Sequence, residues 1–145
     1  MKEIIGKRNM RVMVEASDWE HAIHEAGMLL MQSGSIKDTY IQKMIDSVKT
    51  LGPYIVIAPG IAIAHARPGE EVLKSDMSII TLKTPVSFGN KQNDPVSIVF
   101  AFAAEEDTKH LSQLSILAQL LSDEKKICKI IETDKEEVLY TLINS

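Results

Sequence analysis

From Gly52 to Gly69 the chain reads GPYIVIAPGIAIAHARPG, and this stretch restricts the fold most tightly. Pro59-Gly60 divides it into two β-branched runs, Tyr54 to Ala58 and Ile61 to Ala66, each of strand length and bounded by turn residues. Met77 to Leu82 and Val96 to Phe102 are two further apolar runs, too continuous for strands with one wet face. Arg11 to Ala16 alternates, with Val12 and Val14 on one side, and predicts a first strand. A sheet of about five such strands needs helices over it. The spacing supplies them: Trp19, Ala22, Ile23, Ala26, Leu29 and Leu30 share one helical face, and Tyr40, Ile41, Met44, Ile45, Val48 and Leu51 share another. Leu111 to Leu121, Asp123 to Ile131 and a last segment through Val138, Leu139 and Ile143 continue the helical character. Ser17 to Glu20 and Thr133 to Glu136 have the form of capping boxes, and Gly34 stands where a left-handed cap would end the first helix. Pro85 to Pro95 is polar and turn-rich and predicts a loop. The expected architecture is one α/β domain over residues 1–145, with helices on the sheet.

Length and charge narrow the function. The 145 residues suffice for one core and one main site. Apolar residues make up 45% and charged residues 25%, the balance of a soluble globular chain. The net charge is -4 and no basic cluster occurs, so nucleic acid is not expected as a partner. No apolar run reaches the roughly 18 residues of a membrane span, and no signal-peptide core is present, which predicts a cytoplasmic protein. The single cysteine, Cys128, excludes an internal disulfide and a multi-cysteine metal site.

His65 ends the second of the opening runs. On spacing alone it reads either as a packed side chain or as a reactive group. Its neighbours favour the second reading: Ala62, Ala64 and Ala66 would leave room beside the ring for another molecule. Arg67, two positions on, would share its face if the strand continues that far. A neutral imidazole has one nitrogen free to attack while the other is fixed by a hydrogen bond, and a guanidinium pairs well with phosphoryl oxygens. The absence of a Walker loop, a glycine-rich nucleotide loop and an acidic metal cluster argues against a nucleotide kinase, and no cofactor or metal is expected. His110 begins the helix after the last core strand, where helix N-termini attract anions. His21 and His24 match neither zinc-protease pattern and read as a solvated face; Cys128 reads as a small helix residue. Asp94 follows the loop with no sequence mark that assigns it to the site.

Gly60-Ile61-Ala62-Ile63-Ala64-His65-Ala66 closely resembles the active-site signature of type 2 IIA components of the bacterial phosphoenolpyruvate-dependent sugar phosphotransferase system, the mannitol/fructose class. The TLKTPVSFGN and NDPV segments and HLSQLSILAQLLSD resemble the ascorbate-type branch, so the likeness covers nearly the whole chain. The resemblance implies a mixed, roughly five-stranded sheet flanked by helices. It implies that His65 accepts a phosphoryl group from phospho-HPr through Nε2 and passes it to a cysteine of the IIB component, which serves the IIC membrane permease. It also implies a supporting role for His110. The mannitol-type members use an arginine in the preceding helix, where this chain has only Lys43 and Lys49, and Arg67 is the expected substitute. Most members have proline immediately before the histidine, and this chain has Ala64. A regulatory module that reports phosphorylation state to a transcription regulator or transporter is the alternative, and a homodimer is left open.

Overall fold

The structure, a computed structural model, is described for residues 3–145, apart from the side chains of Lys109 and His110. Five strands, β1 (Met10–Val14), β2 (Val56–Ala58), β3 (Ile61–Ala64), β4 (Asp76–Val86) and β5 (Val96–Ala103), form one sheet in the order β1-β4-β5-β3-β2. β1 runs parallel to β4 and β3 parallel to β5, whereas β4 and β5 are antiparallel, as are β2 and β3; the sheet is therefore mixed. The helices are α1 (Trp19–Gln32), α2 (Asp38–Leu51), α3 (Asp107–Leu121), α4 (Glu124–Glu132) and α5 (Glu136–Asn144).

Strand alternation divides the core into two layers. Ala62, Ala64, Ile80, Val99 and Ala101 face α1 and α2, where Ile23, Leu30, Tyr40 and Met44 cover them. Ile61, Ile63, Ile79, Ile98, Phe100 and Phe102 face the other way, under Leu117, Ile130, Leu139 and Ile143 of α3, α4 and α5. Both faces of the central strands are thus dry, which accounts for their unbroken apolar composition.

Several boundaries differ from expectation. The cap of α1 is Asp18, whose carboxylate accepts the His21 N–H at 2.9 Å, and not Ser17. With Asp18 at that position Glu20 falls one place short of the capping-box partner, and it pairs instead with Lys49 at 2.8 Å. Thr133 likewise fails to cap: α5 starts at Glu136 behind Lys135, and the threonine hydroxyl accepts the Lys135 N–H in a local turn. α4, by contrast, starts where expected, capped by Asp123, whose carboxylate accepts the Lys126 N–H at 3.1 Å. β4 continues to Val86, so the irregular segment begins at Ser87 and not at Pro85.

The alanines around His65 also have a different meaning from the one expected. Ala62 and Ala64 are fully buried and Ala66 is 5% exposed, all three in the layer beneath α1 and α2. Ala62 and Ala64 make room for helices and not for an incoming molecule, whereas Ala66 also borders the depression that His65 lines.

Candidate functional site

β3 and β5 are parallel neighbours, with Ala64 opposite Ala101, so their carboxyl ends meet at one edge of the sheet. Ligands of open α/β sheets gather beyond such ends. β3 stops at Ala64, and the alternation that would have aligned His65 with Arg67 stops with it. The bend achieves the same result: His65 and Arg67 line one depression of about 400 Å³, together with Lys43, Ser47, Leu51 and Tyr54. A hollow of about 580 Å³ continues along α2 and shares Lys43, Ser47, Leu51 and Arg67 with it.

The imidazole is held on three sides. Its ring stacks on Phe102 at 5.1 Å and 16°, and Tyr54 meets it edge-on at 5.6 Å and 86°. Nδ1 lies 2.8 Å from the Ile63 carbonyl oxygen. A carbonyl can only accept, so Nδ1 carries the proton and the in-plane lone pair of the neutral ring falls on Nε2.

α2 grips the backbone that follows. The Tyr40 hydroxyl accepts the Ala66 N–H at 3.0 Å, and its single proton serves the carbonyls of Ala66 at 3.1 Å and Phe102 at 3.0 Å. Burial pushes the Tyr40 phenol up to about 12, against the Ala66 hydrogen bond, and the nearby Tyr54 and Glu71 charges add to the rise. One turn on, the Lys43 ammonium donates to the Arg67 carbonyl at 3.0 Å and lies 3.6 Å from Glu71. The Glu71 carboxyl is held below the usual range, first by its own backbone N–H, then, against the opposing pull of burial, by Lys43. Lys49, the other lysine of α2, is paired with Glu20 of α1 and does not line the depression. Tyr40 was part of an apolar stripe in the sequence; the one signal of a polar duty is that a tyrosine stands where leucine would fill the core, and a buried phenol needs a partner.

His110 falls within α3, which begins four residues after β5 ends; its expected role lies on a side chain outside the described residues. Asp94 is not at this edge. It lies just before the start of β5, the end away from Phe102, where its carboxylate accepts the N–H groups of Phe88 and Gly89 and the Ser87 hydroxyl, each at 2.9 Å. His21 bonds Glu25 at 3.0 Å, and Cys128 is exposed on α4. The assembled edge presents an imidazole of defined tautomer between aromatic rings, with an ammonium and a guanidinium at its mouth: a nucleophile suited to an anionic electrophile.

The family model described as phosphoenolpyruvate-dependent sugar phosphotransferase system, EIIA 2, matches residues 3–145. The chain belongs to this EIIA 2 family. Among its relatives, the ascorbate-specific PTS system EIIA component of Escherichia coli K12 is 34% identical over 139 residues, covering 94% of this chain and 90% of the relative. The solution structure of the mannitol-specific cryptic phosphotransferase enzyme IIA CmtB from E. coli superposes with a TM-score of 0.88 at 29% identity, covering 98% of each chain. The complex of E. coli enzyme IIA mannitol with phosphorylated enzyme IIB mannitol has a IIA-like chain that matches with a TM-score of 0.85 at 26% identity, over 96% of both chains. The mixed five-stranded sheet with its five helices is thus the sheet of the mannitol-like EIIA proteins.

Proposed function

We propose that this EIIA component is a cytoplasmic phosphocarrier that takes a phosphoryl group from phospho-HPr onto Nε2 of His65 and passes it to a cysteine of a IIB component. The observation that carries the reading is the Nδ1 hydrogen bond to Ile63, which leaves the lone pair on Nε2. In the first step the Nε2 lone pair forms an N–P bond as the N–P bond to the HPr histidine breaks, and the donor nitrogen recovers its electron pair. In the second, the IIB thiolate forms an S–P bond as the His65 N–P bond breaks, and neutral His65 is regenerated. The transferred bond is already activated in the donor. Arg67 neutralises the phosphoryl oxygens at the mouth of the depression, and His110 supports them from α3. Ala64, at the position where most members have proline, is ladder-paired opposite Ala101 and buried.

The complex solved for the mannitol proteins supports the IIB partner, and the ascorbate-specific relative supports ascorbate as the sugar moved by the associated IIC permease. Among the described residues no helix is long and apolar enough to cross a membrane, in keeping with a component that works beside a permease. Incubation with phosphoenolpyruvate, enzyme I and HPr should place one acid-labile phosphate on the wild-type chain and none on His65→Ala. Undiminished labelling of His65→Ala would sink the assignment. Labelling of His65 that no IIB component discharges would give the chain a reporting role instead of a transport one.

A further inference from the structure

A single buried hydroxyl joins the backbone that follows His65 to the end of β5, on which the His65 ring stacks. Tyr40 has no solvent exposure, and its oxygen stands among the Ala66 N–H, the Ala66 carbonyl and the Phe102 carbonyl. Ala66 directly follows His65, and Phe102 supplies the face on which the imidazole stacks. Because β3 ends at Ala64, the polar groups of Ala66 are beyond the ladder, yet Ala66 is buried, so they need partners from elsewhere. A phenylalanine or leucine would fill the same core volume without bringing a polar atom out of water. The phenol is therefore not explained by packing.

We propose that Tyr40 is a positioning residue for His65, its hydroxyl fixing the 65–66 backbone against the end of β5 so that the ring keeps its stacking and its Nδ1–H tautomer during transfer. The proposal rests on the reading of His65 as the phosphoryl carrier. Tyr40 touches neither the ring nor the phosphoryl group in this scheme; it acts through the Ala66 and Phe102 backbone. Lys43, three residues on, holds the Arg67 carbonyl, so α2 secures the two residues after the nucleophile one by one.

The test is Tyr40→Phe, which removes one oxygen. Displacement of a reacting group by about 1 Å lowers rates by about 100-fold, so single-turnover transfer from phospho-HPr is expected to fall by about 10- to 100-fold, with the half-saturating donor concentration unchanged. Nitrogen-15 NMR of the His65 ring is expected to change from one Nδ1–H tautomer to a mixture. A destabilised variant of the opposite layer, Leu139→Ala, should keep both the rate and the single tautomer. Replacement of the amide that carries the Ala66 N–H by an ester deletes one of the Tyr40 hydrogen bonds from its other side and should give a defect of the same kind and smaller size; it also decides the matter if Tyr40→Phe does not fold. Wild-type rate and a single tautomer in Tyr40→Phe, or in the Ala66 ester where Tyr40→Phe does not fold, overturn the proposal, and so does an equal defect in Leu139→Ala. Labelling of His65→Ala would defeat the phosphocarrier reading itself, whereas a silent His65→Ala beside a fully active Tyr40→Phe removes only the positioning role.

Discussion

His65 owes its tautomer to a carbonyl two residues back, and a contact of that kind leaves no mark on a sequence. Its place at the end of an apolar run was readable; the stacking on Phe102 was not, because 37 positions separate the two rings and they meet through the β3–β5 pairing. Asp94 shows the same limit in a structural role. Burial pulls its carboxyl up, and hydrogen bonds from Phe88, Ser87, Gly89 and Asn90 together pull it further down, below the ordinary value. A carboxyl lowered on folding adds stability that is complete above its unfolded pKa of about 3.9 and is lost as pH falls through the folded value. Urea midpoints of the wild type should therefore drop as the pH is taken from about 5 to 3. Asp94→Asn should be weaker by about 1 kcal/mol at pH 7 and show a shallower acid limb; an identical limb in both proteins would exclude Asp94 as its source.

At the scale of elements, periodicity located the five α-helices and five strands of the described residues but not the single 3-10 turn at Lys7–Asn9, while their ends were decided by contacts. Ser17 and Asp18 are both good caps by type, and the choice between them depends on where the backbone, leaving β1, turns into α1. Asp18→Ala should cost about 1 kcal/mol in urea unfolding, and Ser17→Ala distinctly less; the reverse ranking would restore the capping box. β3 illustrates the converse. Its run of small and branched residues reads as a strand through Ala66, but only Ile61–Ala64 find partners on β5, and the two residues lost from the ladder are those that carry the histidine and the Tyr40 hydrogen bond. Ala62 and Ala64 differ from expectation for a related reason: a small side chain marks close approach without saying whether a helix or a visitor approaches.

For the whole molecule, the mixed sheet separates two layers that share no side chains. Ile23 of α1 and Ile143 of α5 are both fully buried, in different layers. Ile23→Val and Ile143→Val should each cost about 0.5–1.5 kcal/mol, and the double variant should equal their sum within about 0.5 kcal/mol in a double-mutant cycle; a larger coupling would mean that strain crosses the sheet. Strand order was the part of the architecture least open to reading, since neither the β1–β4 nor the β3–β5 pairing joins neighbours in the chain. The Tyr40 hydroxyl has a consequence in time as well as in space. Its hydrogen bonds close over 26 and 62 residues, so they arise only when α2, β3 and β5 have come together, and such distant pairings are slow to form. No peptide excised around the signature, and no nascent chain that has not yet emerged past Phe102, can hold the histidine as the finished protein does.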